Sequence, residues 1–343
     1  MRPRPPPRTK APHAVPRGAS GGVSSPGTVA DPTRVLVTGG AGFIGSHIVD
    51  AMVAGGYRVA VIDSLVTGDA GNLVGDAALH QVDIRDPQAV DRVFAEFRPQ
   101  LVNHHAAQIS VSESARDPVA DATANIIGSL VLLEACRRHG VEHVTFASTG
   151  GALYGEPARV PAGEDMLIRP LSPYGAAKAS VEAYLHVYRQ TWGLASTILR
   201  YANVYGPRQS ALGEAGVIAI VTRKMLRGEQ PTVFGDGEQT RDFVYVDDVV
   251  EANMIAAKRR MPGAFNVGTG IPTSVNQIVA ELALLTGHAG ERIGAAERSG
   301  DVRAITLDAT LLTETTGWAP VTAVADGLRA VVEHMRAATG ASG

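Results

Sequence analysis

The sequence has little of what disulfide-bonded, metal-binding and membrane proteins need. Its single cysteine, Cys136, can form neither an internal disulfide bond nor a cysteine-based zinc cluster, which is typical of a reducing compartment such as the cytoplasm. The 10 histidines show no HExxH or other metal-ligand spacing. No run approaches the roughly 18 consecutive apolar residues that a membrane helix needs. We therefore expect a cytoplasmic protein that holds no metal and crosses no membrane.

Positive charge is also scarce outside the first 30 residues. Those residues carry five basic side chains and no acidic one, whereas residues 31–343 carry 26 basic and 34 acidic residues. Because a nucleic-acid-binding protein usually has a basic stripe on its folded part, we expect no nucleic-acid partner. Residues 1–33 are rich in proline, glycine and arginine and lack apolar periodicity, which predicts a disordered tail.

From Arg34 onward, short apolar runs alternate with helical patterns. Strand-like runs such as 34–38, 58–63 and 143–148 are separated by helical patterns, and a further strand is predicted at 242–246. The alternation predicts right-handed βαβ crossovers, so the fold class is α/β with a doubly wound (Rossmann) parallel sheet. The predicted organisation is the tail 1–33, a Rossmann domain over 34–202 and about 240–265, and a smaller C-terminal lobe over about 203–239 and 266–336.

A glycine-rich turn follows the first predicted strand. Gly39, Gly42 and Gly45 are spaced three apart, and a helical pattern begins there. Glycines let the chain turn sharply, let a pyrophosphate approach main-chain N–H groups, and let the helix pack closely on the strand. Asp63 ends the next strand, where a carboxylate accepts hydrogen bonds from both hydroxyls of an adenosine ribose. Since that carboxylate would repel a 2′-phosphate, we expect NAD rather than NADP.

The candidate catalytic residues are Thr149, Tyr174 and Lys178. Tyr174 and Lys178 are four residues apart, so a helix places both on one face. Thr149 ends a predicted strand, and the carboxyl ends of such strands border the ligand crevice. A free tyrosine has a pKa of about 10, which the Lys178 ammonium and a positive nicotinamide ring should lower, so that Tyr174 can act as a base. Gly150 and Gly151 follow the threonine and carry no side chain that could protonate a leaving group, which disfavours elimination.

The GxxGxxG spacing, VDIRD at 82–86 and HHAAQISV at 104–111 resemble the extended short-chain dehydrogenase/reductase family. The resemblance covers about residues 34–335 and places NAD in the Rossmann domain. The cofactor-binding residues that it implies are Gly39, Gly42, Phe43, Ile44, Gly45, Asp63, Asp83, Ile84, Ala106, Ala107, Gln108, Asn125, Tyr174 and Lys178.

RYANVYGPRQ at 200–209 and the segment 213–249 resemble the nucleotide-sugar epimerase branch of that family. The resemblance implies a UDP-sugar site in the smaller lobe, where arginines suit the diphosphate because a guanidinium donates paired, charge-assisted hydrogen bonds. The implied substrate-binding residues are Ser148, Thr149, Asn203, Val217, Thr232, Phe234, Arg241, Arg298 and Asp301.

The activity implied by the resemblance is inversion of C4 of a UDP-hexose (UDP-glucose or UDP-galactose) through a transient 4-keto sugar and NADH. The alternative is 4-epimerisation of UDP-glucuronate, which is disfavoured because Gln209 and Ser210 stand where such enzymes often have a basic residue. More distant alternatives are a nucleotide-sugar 4,6-dehydratase, a decarboxylase and a net dehydrogenase. Many epimerases of the family have serine where Gly150 stands, so Thr149, helped at most by Ser148, is expected to hold the substrate oxygen.

The resemblance also implies how copies of the chain associate. The family's common arrangement is a homodimer with a four-helix interface, and here the helical patterns near 88–139 and 174–191 would form it. A non-enzymatic NAD-binding module is disfavoured, because such modules commonly lack the tyrosine and the lysine.

Overall fold

The computed structural model describes residues 31–211, 216–296 and 302–340. The tail 1–30 lies outside the described residues, so its predicted disorder stays a prediction. Two predicted substrate ligands, Arg298 and Asp301, also lie outside them.

The described residues form one large parallel sheet and two smaller sheets. The strands are β1 (Arg34–Thr38), β2 (Arg58–Asp63), β3 (Ala78–Gln81), β4 (Leu101–His104), β5 (His143–Thr149), β6 (Ala195–Tyr201), β7 (Asn203–Tyr205), β8 (Thr232–Phe234), β9 (Thr240–Tyr245), β10 (Gly263–Val267), β11 (Pro272–Ser274), β12 (Ile293–Ala295) and β13 (Ala304–Ile305). Seven of them pair in the order β10-β6-β5-β4-β1-β2-β3, and every pairing is parallel. The strand order reverses between β1 and β4, so the predicted doubly wound α/β fold is confirmed.

Helices cover both faces of this sheet or pack against the smaller sheets. They are α1 (Phe43–Ala54), α2 (Pro87–Phe97), α3 (Val111–Arg116), α4 (Pro118–Ala122), α5 (Gly128–Arg138), α6 (Gly150–Leu153), α7 (Pro173–Trp192), α8 (Val217–Leu226), α9 (Val246–Arg259), α10 (Val275–Thr286), α11 (Thr310–Thr316) and α12 (Val324–Gly340). Thr123–Ile127 forms a π-helical turn between α4 and α5, so the two are not one continuous α-helix.

The longest helix, α7, has strong start and stop signals in its sequence. The Ser172 side chain accepts a hydrogen bond from the N–H of Gly175, and Pro173 occupies the first helical position. Gly193 ends the helix in the left-handed conformation, with a φ of +73°. These signals fix where α7 begins, and its first turn carries Tyr174.

The core lies on the two faces of the parallel sheet. One face packs against α2, α5 and α7, with Phe94, Leu132 and Val181 among its buried residues. The opposite face packs against α1 and α9, with Ile48 and Val249 among its buried residues. Strands buried on both faces read as nearly continuous apolar runs, which explains why the sequence predicted them well.

Smaller sheets lie outside the parallel one. β9 pairs with β11, β13 and β7, and β8 pairs with β12. The strand predicted at 242–246 as part of the large sheet is β9, so that prediction was wrong about the sheet. The chain returns through α9 to β10, and β10 is the strand that extends the large sheet next to β6. The predicted division into two domains stays a prediction.

One helical stretch of the described residues, Pro118–Arg138, is long and apolar enough to cross a membrane by length and composition alone. In its most apolar window 44% of the residues are buried inside the protein. Helices of a protein core can meet the same criteria of length and composition. The test is therefore weak support for a membrane span. The expected cytoplasmic location and the expected lack of a metal stay predictions.

Candidate active site

The glycine-rich turn joins β1 to α1 at the carboxyl edge of the sheet. Gly39 has a φ of +68°, and a Cβ atom there would lie 2.7 Å from the backbone nitrogen of Ala106. A Cβ atom at Gly45 would lie 2.1 Å from the carbonyl oxygen of Gly39, so only glycine lets α1 pack this close to the turn. The residue that caps α1 is Gly42, which has no side chain to occupy the first N–H groups of the helix. Those N–H groups suit a phosphate.

Asp63 ends β2 beside this turn. Its Oδ2 accepts a hydrogen bond from the N–H of Ala41 at 3.0 Å, and its Oδ1 accepts one from the N–H of Leu65 at 2.9 Å. A Cβ atom at Gly68 would lie 2.8 Å from Oδ1, so the loop after β2 also approaches the carboxylate. The bonds orient the carboxylate, and each oxygen keeps a second lone pair that can accept from a ribose hydroxyl.

The turn lies where the strand order reverses, between β1 and β4. The Thr38 hydroxyl at the end of β1 accepts a hydrogen bond from the N–H of Ala106 at 3.2 Å. In open α/β sheets, ligands bind at the carboxyl ends of the strands at such a reversal. The structure therefore brings Gly39 and Ala106, two predicted cofactor neighbours, into contact at the expected place.

The π-helical turn carries Asn125 to the loop that follows β4. The Asn125 Oδ1 accepts a hydrogen bond from the N–H of Gln108 at 2.8 Å, and its Nδ2 donates one to the Gln108 carbonyl at 2.9 Å. π turns occur often at functional sites, since the additional residue redirects a side chain. Gln108 and Asn125 are thus held together, and Ala107 precedes Gln108 in the same loop.

Four other predicted cofactor neighbours lie after β3 or at the start of α1. Arg85 donates to Asp83, with one bond of 2.6 Å from Nη2, and this interaction lowers the pKa of Asp83. Ile84 is buried against the first residue of α5, so its predicted contact with adenine depends on its main chain. Phe43 and Ile44 open α1, and both side chains are half-buried.

The helix α7 brings Tyr174 and Lys178 to the carboxyl end of β5. The Lys178 Nζ donates a hydrogen bond to the carbonyl of Ala147 on β5 at 2.9 Å. It lies 4.8 Å from the centre of the Phe146 ring and 5.9 Å from the centre of the Tyr174 ring. Lys178 is 4% exposed, whereas Tyr174 is half-buried. The two residues therefore lie together, as their spacing predicted.

Burial governs the pKa values of this pair. It lowers the pKa of Lys178 to about 8, against the upward effect of the Asp121 and Glu182 carboxylates. It raises the pKa of Tyr174 above its ordinary value, and the Asp121 carboxylate acts in the same direction. The expectation of a lowered pKa for Tyr174 is therefore wrong for the protein alone, because the cost of desolvating the phenolate dominates.

Thr149 ends β5 and caps α6. Its Oγ1 accepts a hydrogen bond from the N–H of Ala152 at 3.2 Å, and the hydroxyl proton of Thr149 stays available to another acceptor. A Cβ atom at Gly150 would lie 2.4 Å from Cδ1 of the buried Leu307, which fills the space that a serine would need. A Cβ atom at Gly151 would lie 3.6 Å from Oδ1 of Asn203 and 3.9 Å from Oγ1 of Thr149. Two predicted substrate neighbours, Thr149 and Asn203, thus lie on either side of Gly151.

Ser148 is not brought to this crevice. Its hydroxyl donates a hydrogen bond of 2.6 Å to Glu182 on α7. Glu182 also pairs with Arg200 on β6, at 2.6 Å and with both side chains 7% exposed. Successive strand residues point to opposite faces, so Ser148 faces α7 beside the core. Its predicted contact with the substrate has no support in this geometry.

The other described substrate candidates lie in the smaller sheets and on α8. Arg241 is half-buried on β9, and Asn203 begins β7, which pairs with β9. Thr232 and Phe234 lie at the two ends of β8, and Val217 begins α8. The structure thus joins Asn203 and Arg241 through one sheet and places the remaining three on neighbouring elements.

Two buried carboxylates, Asp121 and Glu182, were missed by the sequence analysis. Both act on the pKa of Lys178. Glu182 follows Lys178 by four residues and Asp121 precedes Asn125 by four, so helical spacing from a predicted site residue was the signal that could have found them.

Comparison with known proteins agrees with this geometry. The family described as "NAD dependent epimerase/dehydratase family" matches residues 35–268, which is more than half of the chain. The chain belongs to this family. Membership in the NAD dependent epimerase/dehydratase family confirms the predicted resemblance and the predicted NAD cofactor.

Several members of the family resemble the chain over nearly its whole length. A putative UDP-glucose 4-epimerase of Methanocaldococcus jannaschii is 44% identical over 303 residues, covering 88% of this chain and 98% of that protein. The UDP-glucose 4-epimerase of Thermotoga maritima, solved with UDP-glucose, is 49% identical with a TM-score of 0.87, covering 90% of this chain and 100% of that chain. The Thermus thermophilus UDP-glucose 4-epimerase, solved with NAD, is 47% identical with a TM-score of 0.86, covering 89% of this chain and 100% of that chain.

Proposed function

We propose that the protein is an NAD-dependent UDP-glucose 4-epimerase, which interconverts UDP-glucose and UDP-galactose. The observation that carries the proposal is the placement of Tyr174 and Lys178 at the end of β5, which is separated only by β4 from β1 and its glycine-rich turn. The relatives named above support the choice of sugar, because two are UDP-glucose 4-epimerases at 49% and 47% identity and the third, at 44%, is named a putative one.

The residues of the glycine-rich turn fit NAD. The first N–H groups of α1 would bind the pyrophosphate, because Gly42 and Gly45 leave the helix start uncovered and close to β1. The Asp63 carboxylate would accept from the adenosine ribose, and Lys178 would donate to the nicotinamide ribose. The chemistry that NAD supplies when bound is reversible hydride exchange with C4 of the sugar.

Tyr174 moves the proton in this proposal. Its phenolate takes the proton of the C4 hydroxyl, and its hydroxyl later returns a proton to the same oxygen. Because burial raises the pKa of Tyr174, the phenolate needs positive charge nearby, and Lys178 is the described cation that lies 5.9 Å from its ring. Thr149 would donate a hydrogen bond from its hydroxyl to the substrate oxygen and hold that oxygen in line.

The diphosphate would anchor the substrate while the sugar turns to present its other face. Arg241 is the proposed phosphate ligand, and Asn203 would contact the diphosphate or the sugar beside Gly151. Val217, Thr232 and Phe234 would bind the phosphates and the uracil through the start of α8 and through β8. Arg298 and Asp301 are proposed from the sequence alone.

An assay of both sugar classes tests the function. We expect purified protein to interconvert UDP-galactose and UDP-glucose without accumulating NADH, and denaturation should release NAD detectable by mass spectrometry. Faster turnover of UDP-glucuronate would move the assignment to the alternative epimerase, and stoichiometric NADH production would identify a net dehydrogenase.

We also propose a homodimer in which α4, α5 and α7 pack against the same helices of a second copy. Val119 on α4, Ile127 on the π turn and Val187 on α7 are 76%, 51% and 45% exposed, and exposed apolar side chains grouped on neighbouring elements are typical of an interaction surface. We expect light scattering to give twice the mass of the chain. Val187→Glu should yield monomers, whereas Val321→Glu, at a site that is 82% exposed elsewhere on the surface, should leave the dimer intact. A monomeric wild-type protein would contradict the proposal.

A further inference from the structure

Asp121 is a buried carboxylate on α4, and α4 packs against α7, the helix that carries the proposed acid–base pair. Asp121 lies at the end of α4 and is 2% exposed. Its Oδ1 accepts hydrogen bonds from Nε2 of Gln108 at 2.8 Å and from Nδ2 of Asn125 at 2.9 Å. Its Oδ2 is buried and has no hydrogen-bond partner among the described residues.

The two amide groups cannot turn around to present their oxygens to Asp121. The Asn125 Oδ1 already accepts the N–H of Gln108, and the Gln108 Oε1 already accepts the N–H of Ser110. Their NH₂ groups must therefore point at Asp121, which requires an acceptor there. Burial raises the pKa of Asp121, and the two amide donors on its Oδ1 oppose this increase because they favour the ionised carboxylate.

Helix α7 packs against α3, α4, the π turn, α5, α6, β5 and β6, and β4 lies next to β5. The titratable groups on those elements, besides the pair itself, are Glu113 and Arg116 on α3, Asp117 and Asp121 at α4, Glu134, Cys136, Arg137 and Arg138 on α5, Tyr154 after α6, Glu182, Tyr184, His186, Tyr188 and Arg189 on α7, His143 on β5, Arg200 and Tyr201 on β6, and His104 and His105 at β4. Asp121 and Glu182 are the two that act on Lys178.

The negative charge of Glu182 is neutralised by an ion pair, whereas that of Asp121 is not. Glu182 pairs with the Arg200 guanidinium, which is itself buried. The imidazoles of His104 and His105 are neutral near pH 7, because burial lowers the pKa of both, that of His105 to about 3. Among the described residues, Asp121 is therefore the anion left to balance the Lys178 ammonium.

We propose that Asp121 is a positioning residue whose carboxylate is the counter-charge of Lys178 and sets the protonation balance of the Tyr174–Lys178 pair. The proposal rests on the proposed function, in which that pair moves the proton at O4. Asp121 acts through charge on the two residues and not by contact with the sugar.

The signs of the expected changes follow from the charge. A nearby anion raises the pKa of an ammonium and of a phenol alike, so Asp121→Asn lowers both. We expect the pKa of Lys178 to fall by about 1 unit below its value of about 8 in the wild type. Burial raises the pKa of Tyr174 and lowers that of Lys178, so the two limbs of the pH profile belong to the coupled pair and not to either residue alone. Both limbs should move to lower pH by a similar amount in Asp121→Asn.

The chain is well suited to a direct measurement, since it has only four lysines, at positions 10, 178, 224 and 258. We would label the lysine ε-carbons and titrate the purified protein by NMR, assigning the Lys178 signal by its loss in Lys178→Met. The matched control is Glu96→Gln, which removes one negative charge from an exposed position on α2. An equal Lys178 midpoint in the wild type and in Asp121→Asn overturns the proposal, and so does an equal shift in the control.

The coupling between Asp121 and Lys178 also predicts a change in the titration of Asp121. Burial raises the pKa of Asp121, and the Lys178 ammonium is one of the groups that oppose this increase, so removing the cation in Lys178→Met should raise the midpoint of the Asp121 carboxyl signal further. This second titration keeps the test decisive if Asp121→Asn does not fold, and an unchanged Asp121 midpoint overturns the proposal. Asp121→Glu, which keeps the charge, should keep a wild-type pH profile.

The titrations separate this proposal from the proposed function. A wild-type protein that does not epimerise UDP-hexoses defeats the proposed function, and the NMR midpoints still decide whether Asp121 is coupled to Lys178. If the wild type is active and the Lys178 midpoint is the same in Asp121→Asn, only the proposed coupling is overturned.

Discussion

Tyr174→Phe should lower kcat for UDP-galactose epimerisation by about 10²–10⁴-fold, the usual contribution of a general acid–base group. The substitution removes the only atom that exchanges a proton with the substrate in the proposed reaction, and it leaves the ring in place beside Lys178. Since NAD and the UDP-sugar are held mainly by other residues, KM should change far less than kcat. Steady-state kinetics with both parameters measured would check this result.

Tyr184→Phe is a matched control for that variant. Tyr184 lies on the same helix, ten residues after Tyr174, and its side chain is 41% exposed in the single chain. Because it lies one turn from Val187, in the face proposed for the dimer, light scattering should first show the same mass for this variant as for the wild type. We expect turnover close to that of the wild type. Near-normal turnover in Tyr174→Phe would refute Tyr174 as the acid–base group, and an equal loss in both variants would show that the effect comes from the helix and not from the site.

The alternation of apolar runs and helical patterns was sufficient to predict the large sheet and the position of the glycine-rich turn. β1, β2 and β5 are buried on both faces, so their apolar runs are nearly continuous. The pair Tyr174 and Lys178 was predictable for a similar reason, because i,i+4 spacing on a helix fixes which side chains share a face.

Other features depend on contacts between distant parts of the chain. The strand at 242–246 carries the same apolar pattern as a strand of the large sheet, and only its partners place it in the smaller one. Leu307 fills the space next to Gly150 although 157 residues separate them in sequence. Likewise, alternation along β5 requires Ser148 and Thr149 to face opposite ways, but it does not say which of them faces α7.

Glu182→Ala should destabilise the protein by about 3–5 kcal/mol, because it leaves the Arg200 guanidinium buried without its counter-charge. Arg200 is 6% exposed, and it donates to Glu182 from Nε as well as from Nη2. The Ser148 hydroxyl loses its acceptor in the same substitution. A loss of this size is a large part of the 5–15 kcal/mol typical of a folded domain.

Urea unfolding would measure this loss, at one saturating NAD concentration for all variants because a bound cofactor adds its own stabilisation. Asp165→Ala is the matched control: it breaks an ion pair with Arg159 whose side chains are 66% and 60% exposed, so it should cost no more than about 1 kcal/mol. A similar small cost for Glu182→Ala would show that Arg200 finds another partner.

The double variant Glu182→Met with Arg200→Met tests whether that loss of stability comes from the uncompensated Arg200 guanidinium. Replacing both charges with apolar side chains removes the uncompensated guanidinium, so the double variant should be more stable than Glu182→Ala. Its activity is informative as well. Glu182 lies one helical turn beyond Lys178 and ties α7 to β5 and β6, so a stable double variant with reduced kcat would show that the ion pair positions Tyr174 and Lys178 in addition to stabilising the fold. Wild-type kcat in that variant would limit the pair to a structural role.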